Sequence, residues 1–212
     1  MASTAISAQG SALQVGNGTG AAKNITAIAV GYPTIITSAA HGLANGDVVA
    51  LSGIGGADAA LLNGLSVVVQ DKTTNTFMVE IDTTGKTIIA SGTATPVQWT
   101  TVNNWKTYSG FDGQASELDV TNLSSSAKEY RLGITDPGTL QLELDQDNTD
   151  SGQGVLLAAY QGSLAKQFKI TLPDTHTATF TAYVRKFTSA GGVDQVLKRQ
   201  VDLRISGPVT WA

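Results

Sequence analysis

The sequence has no cysteine, little charge and few aromatic residues. Without cysteine, the chain forms no disulfide, thiolate nucleophile or thiolate metal site. Charged residues make up 14% of the 212 residues, against about 25% in an average soluble chain. No apolar run approaches the roughly 18 residues of a membrane-spanning helix, and the first residues lack the basic and then apolar order of a signal peptide. We therefore expect neither a membrane-spanning segment nor a signal peptide.

The low content of charged residues bears on nucleic-acid binding and on solubility. The chain carries 13 lysines and arginines against 17 aspartates and glutamates, which gives a net charge of −4. A net acidic chain is a poor general binder of nucleic acid, because duplex affinity comes mostly from neutralising phosphates. A monomer usually stays soluble by covering itself with charge. The low charge therefore predicts that copies of the same chain cover part of the surface.

Alternating apolar and polar residues dominate the pattern and predict a mainly β fold. Leu140, Leu142 and Leu144 alternate with polar residues, and the same period of two recurs over 168–172, 179–184 and 201–205. Turn-forming residues at 173–176 predict a hairpin over 167–184. Only residues 152–162 show helical spacing, so we predict one short helix there, with Asp150 or Ser151 as its N-cap.

Composition divides the chain into two predicted domains. Residues 23–97 hold only 3 basic and 5 acidic residues, and glycine-rich turns separate six short strand-like runs, which is typical of a small closed barrel. The runs at 24–29 and 93–97 lie at the two ends and are expected to pair, as insertion into another domain requires. We therefore predict a discontinuous host domain, 1–22 and 98–212, with an inserted β-module at 23–97. The six predicted strands are 25–30, 34–37, 47–52, 67–71, 76–81 and 93–97.

Motifs that resemble enzyme or metal sites all have simpler interpretations. The glycine run at 16–20 lacks the Lys-Ser/Thr of a phosphate-binding loop and predicts a flexible turn. His41 and His176 have no second ligand at metal spacing, and we expect His41 to make a structural hydrogen bond within its turn. Residues 145–150 superficially resemble a calcium loop but depart from it at positions six and twelve. We predict no catalytic, cofactor or metal site, and no enzymatic activity.

Four carboxylates, Glu117, Asp119, Glu143 and Asp145, leave three interpretations open. Paired carboxylates can hydrolyse glycosides, but only at a fixed separation and beside aromatic residues. They can also lie on a solvated strand face. A third possibility is an acidic wall of a pore, which would repel DNA phosphates. A related alternative is a carbohydrate-binding β-sandwich, for which Trp99, Trp105 and Tyr108 would supply the aromatic platform.

Residues 110–145, GFDGQASELDVTNLSSSAKEYRLGITDPGTLQLELD, resemble the signature region of siphophage major tail tube proteins of the lambda-like type. The residues at 8–16 resemble the opening of this family, and those at 201–211 resemble its end. Together these matches cover 1–22 and roughly 98–212. The inserted segment resembles a small β-module that recurs in phage virion proteins, with its motifs at 41–43, 46–49, 51–53 and 62–64.

The resemblance implies a structural role in the virion. Each subunit would be a tail-tube-type β-sandwich or barrel, and hexameric rings of subunits would stack into a tube that conducts DNA during ejection. The implied partners are other copies of the chain, the tape-measure protein, and the initiator and terminator proteins at the two tail ends. DNA would pass through without specific binding. The implied location is the phage tail, with assembly in the host cytoplasm.

Two hypotheses follow for particular segments. The alternation places Glu143 and Asp145 on one strand face, and we hypothesise that this face lines the lumen. We also hypothesise that 23–97 is an external decoration, since a folded module would obstruct the lumen. The alternative virion components are a capsid decoration protein and a tail terminator.

Overall fold

The computed structural model describes residues 5–212, which form two compact units. The first unit comprises the described residues up to Thr101 together with Gln167–Thr179 and Thr210–Ala212. The second comprises Val102–Lys166 and Phe180–Val209. Residues 1–4, where the predicted tail tube domain begins, lie outside the described residues. The boundaries of these two units differ from those of the predicted host domain and insertion. The predicted division of the chain stays a prediction.

The fold is mainly β, with 48% of residues in strands and 7% in helices, as the sequence predicts. The helices are α1 (Ser151–Gly162) and a short 3-10 turn at Ala59–Leu61. The strands are β1 (Ala12–Thr19), β2 (Lys23–Asn24), β3 (Ala27–Ala29), β4 (Thr34–Thr37), β5 (Val48–Ser52), β6 (Ser66–Val68), β7 (Thr76–Val79), β8 (Thr93–Val102), β9 (Trp105–Gly110), β10 (Gln114–Asp119), β11 (Tyr130–Asp136), β12 (Thr139–Asp145), β13 (Ala165–Thr171), β14 (Thr177–Ala190), β15 (Lys198–Ile205) and β16 (Thr210–Trp211).

In the first unit, strands lie in the order β6-β5-β8-β1-β13, and β2 also pairs with β8. The antiparallel register of β1 and β13 sets Leu13 opposite Ile170 and Val15 opposite Phe168. All four side chains are buried, because the period of two directs them to the same face. Strand β13 is followed in the sheet by β14, which confirms the predicted hairpin.

The segment 23–97 has a core of its own but forms no closed barrel. Strands β3, β4 and β7 make a three-stranded sheet, and its Ile36 and Phe77 lie in a core that includes Val49 and Leu51 of β5. The predicted pairing of the segment's ends is confirmed, because Asn24 lies opposite Thr93. The predicted closed barrel is wrong. The ten-residue β8 pairs with both β5 and β1, so β5 and β6 extend the sheet of β1 instead of closing a ring.

A loop of this segment covers a polar part of the first unit. Lys169 of β13 is buried, and its Nζ lies 2.8 Å from Asp47 Oδ1. The hydroxyl of Thr179 donates to the carbonyl of Gly46 at 3.1 Å. Gly46 has φ +80°, and a Cβ there would lie 2.2 Å from the hydroxyl oxygen of Thr177. Only glycine fits this close approach without strain.

His41 occupies the structural role that its turn predicts. The side chain is buried, and Nδ1 accepts a hydrogen bond from the Leu43 backbone N–H at 3.0 Å. Its Nε2 lies 3.3 Å from the Thr76 carbonyl oxygen, which makes Nε2 the protonated nitrogen. The ring also meets Phe77 edge to face, at 5.4 Å between centroids.

In the second unit, strands lie in the order β14-β15-β12-β9. Leu140, Leu142 and Leu144 of β12 are buried, and each lies opposite a residue of β15, beginning with Leu140 opposite Leu203. Helix α1 lies on this apolar face, where Tyr160 stacks on Phe187 of β14 at 6.1 Å. The half-buried strand predicted for β12 is confirmed.

The predicted helix and its cap are also confirmed. Helix α1 begins after Asp150, whose carboxylate accepts from the Gln153 backbone N–H at 2.7 Å. This satisfies one of the amides that a helix start leaves free. The carboxylate's other oxygen accepts from the Asn103 side-chain amide at 2.6 Å. The loop at 145–150 thus serves the helix, and no calcium-binding role is needed to explain it.

Strands β10 and β11 form a separate two-stranded antiparallel sheet in the second unit. Asp119 lies opposite Tyr130, and Glu117 lies opposite Leu132. The hairpin shares no sheet with the other strands described. Two strands alone are marginally stable in water.

Within residues 5–212, no helix is both long and apolar enough to cross a membrane. The same described residues contain no group of three or more His, Cys, Asp or Glu side chains arranged to hold a metal ion.

Candidate functional site: a polar sheet face and an apolar hairpin

The sheet β14-β15-β12-β9 has one apolar face and one polar face. The apolar face carries the leucines of β12 and contacts helix α1. The strand registers place alternate polar residues on the other face. This polar face consists of Thr107 and Ser109 on β9, Gln141, Glu143 and Asp145 on β12, Lys198, Gln200, Asp202 and Arg204 on β15, and Tyr183, Lys186 and Thr188 on β14.

Glu143 and Asp145 lie on this face, opposite Leu142 and Leu144, as the alternation predicts. Each is ion-paired with a lysine. Lys198 Nζ lies 2.7 Å from Glu143 Oε1, and Lys106 Nζ lies 2.9 Å from Asp145 Oδ2. The two carboxylates therefore do not form an uncompensated acidic strip. That this face borders a lumen stays a prediction.

Two further pairs complete the charge pattern. Arg185 Nη2 lies 3.9 Å from Asp202 Oδ2, and the Arg204 guanidinium donates to the Asp136 carboxylate at the end of β11. Lys186 lies opposite Asp202 in the register and forms no ion pair with a described residue. Every carboxylate of the polar face thus has a basic partner.

These contacts keep the paired groups charged. Its hydrogen bond to Glu143 raises the pKa of Lys198, so this amine is fully protonated at neutral pH. The Gly138 backbone N–H, together with Arg204, lowers the pKa of Asp136 below its ordinary value. Lys198 and Asp136 are therefore both charged at neutral pH, and each is compensated by its own partner, Glu143 for Lys198 and Arg204 for Asp136.

A shallow depression of about 260 Å³ lies in the polar face. Its lining includes Thr107, Gln141, Glu143, Lys186 and Asp202. Hydroxyls, amides and charged groups make up most of its lining. Water and ions suit this lining better than an apolar ligand does.

The aromatic residues considered for carbohydrate binding have partners within the fold. Trp105 and Tyr108 on β9 stack on each other, with centroids 5.4 Å apart and planes at 26°. In the first unit, Lys169 Nζ lies 4.8 Å from the centroid of the Trp99 ring, a cation–π contact. Strand packing explains all three residues.

The β10–β11 hairpin exposes large apolar side chains. Tyr130 and Leu132 on β11 share one face of the hairpin, and a register shift before Thr135 moves Ile134 off this face. The exposed fractions of Tyr130, Leu132 and Ile134 are 54%, 74% and 90%. Leu118 of β10 is 53% exposed and lies opposite Arg131, on the other face. We call the side with Tyr130 and Leu132 the apolar hairpin face. A cluster of this kind marks an interaction surface.

Sequence reasoning missed both the paired lysines and the apolar hairpin face. The motif at 110–145 contains the hairpin. The order of its residues indicates a family, but it does not show which side chains are exposed. The alternating apolar residues at 130–134 are a visible signal for a strand, but they do not show the register shift that moves Ile134 off the face of Tyr130 and Leu132. The ion pairs depend on strand neighbours distant in sequence, such as Glu143 and Lys198, and no local pattern shows them.

Comparison with known families gives one extended match. The model of a family described as "Phage tail tube protein, TTP" matches residues 57–212, about three quarters of the chain. The match begins inside the segment predicted as an insertion. This family is structural and not enzymatic. The match confirms the resemblance to phage tail tube proteins, whereas the siphophage, lambda-like type stays a prediction. It favours this role over the decoration, terminator and carbohydrate-binding alternatives.

Two solved structures are similar to part of the chain. One is the tail of an empty GTA particle, from a helical refinement with C6 symmetry, with 14% identity, a TM-score of 0.47, and coverage of 54% of this chain and 87% of that one. The other is the sixfold-symmetrised baseplate of the anti-feeding prophage, with 13% identity, a TM-score of 0.43, and coverage of 54% and 84%. No curated protein matches the sequence.

Proposed function

Since this chain belongs to the phage tail tube protein family, we propose that it polymerises as stacked hexameric rings into a hollow tube that conducts DNA during ejection. The family match supports the structural role in the tail. The observation that carries polymerisation is the apolar hairpin face, which the isolated subunit leaves in water. Initiator and terminator proteins would meet the ends of this tube, and tape-measure protein would fill it during assembly in the host cytoplasm.

The energetics of the hairpin support a docked state. Full burial of a leucine or isoleucine side chain contributes about 1.5–3 kcal/mol. Leu132 and Ile134 are mostly exposed, so most of this contribution is not realised in the free subunit. A two-stranded sheet also gains stability from a third partner. A second copy of the chain is the partner that a tube supplies at every subunit, and a contact between different surfaces allows open-ended stacking.

The polar face suits the inner wall of such a tube. Its apolar reverse is covered by the subunit's own helix, so the sheet needs no partner on that side. A neighbouring subunit would extend the sheet at its free edge, β9, and this would cover an exposed strand edge. The residues proposed to face the lumen include Glu143 and Asp145.

The segment 23–97 is proposed to decorate the outside of the tube. The surface that its loop covers in the first unit includes Lys169, Thr177 and Thr179, which are residues that tolerate water.

Electron microscopy of the purified full-length protein tests the proposal. We expect smooth hollow tubes of uniform width after prolonged incubation at high concentration. Discrete trimers would instead support a capsid decoration protein, and single rings that never stack would support a tail terminator. Monomers that also fail to polymerise on an added tail-tip initiator complex would contradict the proposal.

A further inference from the structure

Most charged side chains of the polar face form ion pairs. Three of its carboxylates, Glu143, Asp145 and Asp202, have a basic group within 4.0 Å. The basic partners are Lys198, Lys106 and Arg185. The remaining lining at the centre of the face consists of neutral polar groups and Lys186.

These ion pairs contribute little to the stability of the fold. Their side chains are partly exposed, for example 52% for Lys198 and 31% for Glu143. Exposed ion pairs of this kind contribute about 0–1 kcal/mol. Their effect on a passing polyanion is larger, because DNA binds where a cation contacts phosphate and releases condensed counterions. A lysine that is already ion-paired with a carboxylate binds a phosphate more weakly.

We infer that Glu143, Asp145 and Asp202 mask Lys198, Lys106 and Arg185, the basic groups that they contact, so that these three cations do not hold DNA that passes the face. The inference rests on the proposed function, because it requires this face to border the path of DNA. It differs from repulsion by an acidic wall. In repulsion the carboxylate acts on DNA directly, whereas in masking it acts only through its own lysine.

A double-mutant cycle separates the two mechanisms. The variants are Glu143→Gln, Lys198→Gln and the double variant, and the readout is binding of the full-length subunit to a short DNA duplex at several salt concentrations. Masking predicts that Glu143→Gln binds several-fold more tightly than wild type at low salt. The slope of log affinity against log salt should steepen by about 0.9 for the one freed cation. The double variant should bind no better than Lys198→Gln.

Two results would overturn the inference. One is an unchanged affinity in Glu143→Gln. The other is an equal gain from Glu143→Gln whether or not Lys198 is present, which is the signature of direct repulsion. A second cycle with Asp145→Asn and Lys106→Gln repeats the test at an independent pair, and circular dichroism establishes that each variant is folded.

The same preparations distinguish failure of the inference from failure of the proposed function. Masking is measured on the free subunit and does not require a tube, whereas electron microscopy of each variant reports polymerisation. If the protein forms tubes but the double-mutant cycle shows no coupling between the two residues, only the masking inference is contradicted. A positive cycle in protein that forms no tubes, even with an added tail-tip initiator complex, would remove the tube proposal and leave only a masked surface.

Discussion

At the scale of the residue, a few buried polar side chains hold the fold in ways that no hydrophobic pattern shows. His41 is the clearest case, since both of its ring nitrogens meet backbone groups. Its place in the turn before β5 predicts a structural hydrogen bond, and the structure adds the burial and the aromatic contact. The opposite case is Lys169, which alternation would place on a solvated face. A distant aspartate, Asp47, and the ring of Trp99 explain its burial, and neither is visible from the local sequence.

We expect His41→Ala to destabilise the protein by about 2–6 kcal/mol. The change leaves the Leu43 N–H without its acceptor and opens a cavity beside Phe77, and each effect costs about 1–3 kcal/mol. Urea unfolding followed by fluorescence measures the change. His176→Ala is the matched control, because His176 has a side chain 69% exposed and should change stability by less than about 0.5 kcal/mol. Equal effects of the two substitutions would contradict this account of His41.

At the scale of the element, the sequence predicts strands well and their neighbours poorly. The alternation of β12 and the cap of α1 are local signals, and both predictions are confirmed. The closed barrel at 23–97 is wrong because strand pairing is a long-range property. Nothing in residues 93–102 shows that β8 pairs with β1 as well as with β5. The exposure of the β10–β11 hairpin is likewise a property of the folded chain.

Leu132 on the apolar hairpin face is expected to contribute to the contact between subunits. Leu132→Ser should raise the protein concentration needed for tube formation by roughly tenfold or more, because about 2 kcal/mol of burial is lost at each contact. Stability of the free subunit should stay nearly unchanged, since Leu132 is 74% exposed. Sedimentation of polymer against concentration measures the threshold.

Leu118→Ser is the matched control for this prediction. It makes the same substitution on the opposite face of the hairpin, where Leu118 is 53% exposed. We expect it to leave the threshold within about twofold of wild type. If both substitutions raised the threshold equally, the contact would not belong to the apolar hairpin face.

At the scale of the whole molecule, the role of 23–97 is the main open prediction. The antiparallel pairing of Asn24 with Thr93 makes a sharp deletion possible. Residues 25–92 can be replaced by Asn-Gly, the preferred pair for a two-residue hairpin. The deletion uncovers Lys169, Thr177 and Thr179, whose polar groups can be hydrated.

We expect the deletion variant to fold and to form tubes of smaller outer diameter. Circular dichroism and electron microscopy measure the two properties. The full-length protein, expressed and purified in parallel, is the control. A folded variant that forms no tubes would show that 23–97 supplies contacts between subunits.

A helical reconstruction of tubes grown from the full-length protein would show which surfaces lie between subunits and which face the lumen. We predict sixfold rings, the apolar hairpin face buried against another subunit, and the polar face with Glu143 and Asp145 directed into the lumen. A tube with the polar face on its outer wall would contradict the proposed inner wall and, with it, the masking of cations from DNA. An assembly in which Leu132 and Ile134 stay in solvent would contradict the proposed contact between subunits.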